Sequence, residues 1–196
     1  MKTVTTEDLY LEGEERFGPV TTYLFGLGTF FMNKYYDIIV EDLKSKEFDL
    51  LLDVGCGNGA LLSRLASNFP DSRFYGLDPS PHMLQRARKK LIKEGLISRV
   101  ELGNGSNRVI PFEHKFDALI SSFSYHHWKD RDSSLSRLMS HLSEKGFASI
   151  YEYDNSSRRL NTSHGVKESE WTGIDIDGMK KTITHKDGLI ILTLTK

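Results

Sequence analysis

The chain has 196 residues and a nearly balanced charge, 26 Lys and Arg against 27 Asp and Glu, for a formal net charge of −1. That length suits one α/β domain with a substantial core and is short for two. The charge balance gives no whole-molecule field for nucleic acid. Cys56 is the only cysteine, which excludes an internal disulfide and a cysteine-based metal site.

The first 15 residues are acidic and polar, unlike a signal peptide. The uncharged stretch Phe17–Asn33 contains Gly18, Pro19, Gly26 and Gly28. It falls short of the roughly 20 apolar residues of a membrane span. A cytoplasmic protein without a membrane span is the expectation. Aromatic residues are dense in this region: Phe17, Tyr23, Phe25, Phe30, Phe31, Tyr35 and Tyr36. Tyr36, Ile39, Val40 and Leu43 follow helical spacing and predict a helix over about 33–44. Residues 1–47 therefore read as a cap or lid, and residues 48–196 as the main domain. The cap has two readings, packing on a sheet edge or forming the apolar wall of a cleft.

Leu50-Leu51-Leu52-Asp53-Val54 is a buried strand ending near an acid, and Gly55, Gly57 and Gly59 follow at two-residue spacing. Leu61, Leu62, Leu65 and Ala66 then recur at helical spacing. Strand, glycine loop and helix bring backbone amides, without a Cβ in the way, to the positive end of a helix dipole. The next strand, Arg73–Asp78, also ends in an acid, 25 residues beyond Asp53. Ser80 and Pro81 are N-cap and first-turn residues of a helix whose stripe is Met83, Leu84, Ala87, Leu91 and Ile92. Arg86, Arg88, Lys89, Lys90 and Lys93 read as its solvated face. A short third strand over 99–102 leads into a polar loop, Gly103 to Asn107.

Phe116–Ser122 is a fourth strand, followed by Phe123 to Trp128 and a helix over about 131–142 that Glu144-Lys145-Gly146 ends. Phe147–Glu152 is a fifth strand. Residues 155–173 are polar, with one helical turn around Glu168–Trp171. Strands over 179–185 and 189–195 meet at Lys186-Asp187-Gly188, a hairpin signal. The pattern predicts an α/β fold: a doubly wound, mostly parallel seven-stranded sheet with an antiparallel C-terminal hairpin strand, helices on both faces and an N-terminal helical cap.

The G-x-G-x-G spacing of Gly55, Gly57 and Gly59, with Asp53 two residues ahead, resembles motif I of the class I S-adenosylmethionine-dependent methyltransferases. A dinucleotide-binding oxidoreductase would space its glycines G-x-G-x-x-G. Asp78-Pro79-Ser80-Pro81-His82-Met83 is similar to the D-x-S-x-x-M run of the same family, and Phe116–Phe123 to its motif IV. The resemblance covers residues 48–153. It implies S-adenosyl-L-methionine as cofactor and S-adenosyl-L-homocysteine as product.

Residue by residue, the resemblance implies that Asp53 helps to hold the ligand's amino group, with the carboxylate near the amides of Gly55, Gly57 and Gly59. Cys56 packs as a small hydrophobe. Asp78 accepts the ribose hydroxyls, with a helix-dipole role as the alternative. Pro79 and Met83 flank adenine, although Met83 equally suits core packing. The acid that the family places after the third strand is missing here. Asn104, Gly105 and Ser106 stand in that loop, and Asn104 or Ser106 can accept the adenine hydrogen bond instead. Ser121 lies where motif IV lines the methyl-transfer site.

Tyr125-His126-His127-Trp128 resembles a double-histidine phrase of the family's small-molecule branch. His126 or His127 suits general-base work near neutral pH, or both hold the loop by hydrogen bonds. No metal site is expected, since no further ligand spacing accompanies the pair. The implied function is methyl transfer to an O, N or C atom of an acceptor, a small molecule in the leading reading, with the oligomeric state left open. The alternative is a catalytically silent relative that binds the cofactor as a regulatory or partner subunit.

Overall fold

The computed structural model describes residue 9, residues 32–156 and residues 165–196. Of residues 5–15 only Leu9 is described, and the aromatics Phe17, Tyr23, Phe25, Phe30 and Phe31 lie outside the described residues. Seven strands form one sheet in the order β3-β2-β1-β4-β5-β7-β6. These are β1 (Leu50–Val54), β2 (Arg73–Asp78), β3 (Val100–Asn104), β4 (Phe116–Ser122), β5 (Leu142–Tyr153), β6 (Lys180–Lys186) and β7 (Leu189–Thr195). Strands β1 to β5 pair in parallel, and β7 runs antiparallel to both β5 and β6. The expected sheet is the one observed.

Apolar side chains divide the helices between the two faces. On one face the helix α1, described over 32–43, places Tyr36, Ile39, Val40 and Leu43 against Leu51, Phe74 and Tyr151. The helix α2 (Ala60–Asn68) adds Leu61, Leu62, Leu65 and Ala66 to that layer, and α3 (Pro81–Lys93) adds Leu91. On the other face α4 (Arg131–Ser140) and the short α5 (Glu168–Thr172) bring Leu135, Leu138, Met139 and Trp171 onto Leu52, Leu119 and Ile150. Burial of these stripes, at ~25 cal/mol per Å² of apolar surface, is what stabilises the layers.

Local chemistry sets the element ends. Ser80 caps α3 by accepting the Met83 amide, with Pro81 in the first turn. Asp187 and Gly188, at φ 50° and 91°, supply the two left-handed residues of a tight hairpin. Two boundaries differ from expectation. Strand β3 continues through Gly103 and Asn104, so the polar loop begins later. Helix α4 stops at Ser140, and Glu144-Lys145-Gly146 belongs to β5 rather than to a helix end. The β4–β5 register shifts between Phe116 and Ala118, which accommodates the extra residues as a bulge. A Cβ on Gly146 would lie 3.0 Å from the Phe116 carbonyl, so glycine marks a close backbone approach there.

Candidate active site

The strand order reverses at β1, between β2 and β4, and a cleft opens there outside the carboxyl ends of the strands. It encloses about 990 Å³, counting its mouth. The loop after β1 supplies Gly55, Cys56, Gly57 and Asn58, and Asp78, Pro79 and Met83 come from the end of β2 and from α3. Ser106 and Asn107 follow β3, and Ser122, Phe123, Ser124, His127 and Trp128 follow β4. Leu9, Met32 and Tyr36 line the same cleft from the N-terminal side.

The three glycines do different work. Gly55, Gly57 and Gly59 all have positive φ, a conformation that costs side-chain-bearing residues strain. A Cβ on Gly55 would collide with the Ser124 side chain, and one on Gly59 would sit 2.8 Å from Ala87 Cβ on α3. A Cβ on Gly57 would instead meet nothing within 4 Å. Gly57 therefore faces open space, whereas Gly59 serves helix packing and does not line the cleft.

Two acids stand behind this loop. Asp78 Oδ2 accepts the Gly57 amide at 2.9 Å and Oδ1 accepts the Ser80 amide at 2.9 Å. Burial raises its carboxyl to about 6 against the lowering effect of those two bonds. Asp53 is fully buried, and neither of its carboxyl oxygens has a hydrogen-bond partner among the described residues. Burial first, and the nearby Asp78 charge second, push Asp53 up to about 8. Asp53 directly precedes the cleft residues Val54, Gly55 and Cys56 in the chain but does not itself line the cleft. Tyr36, on α1, has its phenol raised first by burial and then by the charge of Asp53, so α1 and the strand-end acid are neighbours.

A buried carboxyl without partners is expensive unless a cation or donor completes it. Two acids converging on a glycine cradle suit a ligand carrying positive charge and disfavour the pyrophosphate of a dinucleotide. S-adenosylmethionine, with its sulfonium and ammonium groups, fits this donor and acceptor set.

Other expected site residues are placed less directly. The Asn104 side-chain amide donates to the backbone carbonyls of Asp78 and Pro79 and ties β3 to the β2 loop, outside the cleft lining. Gly105 packs against Val109 and Pro111. Ser106 lines the cleft, but its hydroxyl accepts the Arg108 amide. Ser121 is buried with its hydroxyl unpartnered among the described residues, and Ser122 lines the cleft in its place. Cys56 lines the cleft as a buried thiol whose ionisation is pushed well up by burial.

The double-histidine turn separates its two members. His127 lines the cleft, whereas His126 points its Nδ1 at Glu152 Oε2, 2.9 Å away. Glu152 Oε1 also accepts the His126 backbone N–H at 3.1 Å. Arg131 holds the other side, donating to the carbonyls of His126 and Trp128 at 3.2 Å each. Trp128 Nε1 donates to Ser124 Oγ, which fixes the side chain packed over Gly55. Phe123, at φ 53°, is a strained non-glycine residue on the cleft wall and forms an aromatic cluster with Tyr35, Tyr36 and Tyr153. Sequence reasoning missed Glu152, an isolated acid in a strand that carries no motif, and placed Phe123 at the end of the motif IV resemblance without giving it a role.

The fold and this site define a class I, Rossmann-like domain of the methyltransferase type. Residues 51–146 match the methyltransferase domain family. The chain is 33% identical over 92 residues to a protein of Pseudomonas putida assigned as a fatty acid methyltransferase, a match over 47% of this chain and 23% of that one. It is 30% identical over 105 residues to the malonyl-[acyl-carrier protein] O-methyltransferase of Acetivibrio thermocellus, over 54% of this chain and 36% of that one. The chain thus spans well under half the length of these two relatives.

Among solved structures, one from Methanococcus maripaludis, assigned as an S-adenosyl-L-methionine-dependent methyltransferase, superposes with a TM-score of 0.77 at 20% identity. That match covers 95% of this chain and 97% of the other. The plantazolicin methyltransferase BpumL, solved with S-adenosylhomocysteine, superposes with a TM-score of 0.62 at 15% identity over 83% and 79% of the two chains. Residues 51–146 thus match the methyltransferase domain family, and the chain shares the fold of S-adenosylmethionine-dependent methyltransferases, whose cofactor is S-adenosyl-L-methionine.

Proposed function

We propose that the protein transfers a methyl group from S-adenosylmethionine to an O, N or C atom of a small acceptor with an apolar body. The observation that carries this reading is the continuation of one cleft from the glycine loop into an apolar wall of Leu9, Met32, Tyr36, Phe123 and Trp128. No Lys or Arg lines that cleft among the described residues, so nothing there recognises an anionic acceptor. When bound, the cofactor would supply an electrophilic methyl group, its sulfur keeping the pair of the broken carbon–sulfur bond while the acceptor supplies the pair of the new one.

The chain's own residues bind, orient and dry the reactants, the main sources of rate for such a transfer. The Gly57 loop and Asp78 hold the cofactor's polar parts, and the Asp53 carboxyl complements its positive charge from behind. Met32, Tyr36 and Phe123 exclude water on the acceptor side. His127, at the cleft wall, takes the proton of a hydroxyl acceptor.

A second reading, a cofactor-binding partner subunit, draws on the absence of an acid after β3, where the Asn104 amide serves the backbone instead. Calorimetry with S-adenosylhomocysteine and NAD, followed by radiolabelled methyl transfer to a panel of neutral phenols, alcohols and amines, tests both. Homocysteine-product binding with transfer supports the enzyme. Binding with no transfer across the panel supports the subunit, and NAD binding without S-adenosylhomocysteine binding overturns both.

A further inference from the structure

We propose that Glu152 is a positioning residue for the double-histidine turn: its carboxylate fixes the tautomer of His126 and thereby the presentation of His127 to the cleft. Glu152 is fully buried on β5, opposite Ile190 of β7 and next to Ile191. A buried acid in an apolar sheet is destabilising unless both oxygens are engaged, and an apolar residue would fill the position without that penalty. Both oxygens are engaged, and both by one residue: Oε1 accepts the His126 N–H at 3.1 Å and Oε2 meets Nδ1 at 2.9 Å.

A carboxylate only accepts, so an ionised Glu152 would draw the proton of a neutral His126 imidazole to Nδ1 and leave the lone pair on Nε2. The turn itself is a single 3-10 turn, Tyr125–His127, with no slack to absorb a shift. Arg131 grips its carbonyls from the far side while its guanidinium lies over the Tyr125 ring, 4.7 Å from the centroid. The His126 and His127 rings are 3.9 Å apart between centroids, so the orientation of one constrains the other. The acid that organises the turn thus never touches the cleft, and acts through the ring that His127 leans on.

Glu152→Gln gives a sharp test. The backbone N–H of His126 always donates, so the glutamine oxygen must stay with it and the amide NH₂ must face Nδ1. His126 is then forced to the Nε2–H tautomer. Long-range ¹H–¹⁵N spectra of the protein saturated with S-adenosylhomocysteine at pH 8 should show Nδ1–H in the wild type and Nε2–H in Glu152→Gln. S-adenosylhomocysteine affinity should change less than threefold.

The kinetic arm rests on the methyl-transfer reading. With a neutral phenol from the panel as probe, kcat should fall at least tenfold with KM within threefold, and Glu152→Asp should recover part of the loss. An Nε2–H His126 in the wild type overturns the proposal. So does an unchanged tautomer or an unchanged kcat in Glu152→Gln, or a parallel loss of S-adenosylhomocysteine binding, which would mean a merely structural role. If Glu152→Gln does not fold, the wild-type tautomer and Glu152→Asp decide. If no probe is methylated by the wild type, the methyl-transfer reading fails while the tautomer arm still decides the role of Glu152.

Discussion

The Asp78 carboxylate accepts the backbone N–H of Gly57 at 2.9 Å, so the acid that ends β2 holds the glycine loop that follows β1. One side chain thereby shapes the cradle and presents an acceptor to the ligand. Asp78→Ala should weaken S-adenosylhomocysteine binding by about 1–3 kcal/mol, the range for losing a charged hydrogen-bond partner. Calorimetry reads this directly. A change below about 0.5 kcal/mol would remove Asp78 from the ligand's partners.

The unpartnered carboxyl of Asp53 makes the ligand-free protein sensitive to pH. Its folded value, raised from 3.8 to about 8, means that the native state holds a proton that the unfolded chain has lost between those limits. Stability therefore falls as pH rises through that window. Asp53→Asn, neutral throughout, should raise the Tm of the ligand-free protein at pH 8 by roughly 3–6 °C and flatten its pH dependence. The same change should weaken S-adenosylhomocysteine binding. Thermal unfolding at pH 6 and pH 8, with and without ligand, checks both signs.

Gly55 and Gly57 should separate folding from binding. Gly55→Ala combines positive φ with a clash on Ser124 and should cost roughly 2–4 kcal/mol of stability. Gly57→Ala carries only the backbone strain, about 1 kcal/mol, because its Cβ enters open space. On the proposed reading that space holds the cofactor, so Gly57→Ala should lose S-adenosylhomocysteine affinity while remaining folded. Urea unfolding together with calorimetry distinguishes the two.

His185 on β6 joins Asp154 at 2.8 Å and Glu168 at 3.1 Å, pinning the hairpin edge to the end of β5 and to α5. The hydrogen bond to Asp154 raises its imidazole above 6.5, the neighbouring charges add to this, and partial burial opposes it. A raised value contributes stability that is complete below the unfolded value and is lost as pH rises through the folded one. His185→Ala should therefore destabilise at pH 6 and be near neutral at pH 9. The difference should be roughly 1 kcal/mol or less, since solvent screens an exposed group. Equal effects at both pH values would rule out the ionic contribution.

Much of this arrangement was legible because it rests on chemistry with few alternatives. Two acids at strand ends and three glycines at fixed spacing located the cradle, and Asp187-Gly188 located the hairpin. Other features depend on tertiary partners that no local pattern encodes. Glu152 sits between Tyr151 and Tyr153 like any strand residue, and its meaning comes from His126, 26 positions away. Phe123 adopts a left-handed backbone that its residue type disfavours. The Glu144-Lys145-Gly146 stretch carries a helix-ending signal, but the β4–β5 bulge absorbs it. Asn104 has the right chemistry for adenine, yet its amide reaches the nearer carbonyls of Asp78 and Pro79.

The walls of the cleft fall both inside and outside the segment that matches the methyltransferase domain family. The glycine loop, Asp78, Phe123 and His127 lie inside the segment, 51–146, that the methyltransferase domain family shares. Leu9, Met32 and Tyr36 lie outside it. On the proposed reading, variation at Leu9, Met32 and Tyr36 would rewrite part of the acceptor wall without disturbing the glycine loop. Grafting residues 1–47 from a relative onto this chain should carry acceptor preference with the graft and leave cofactor affinity behind.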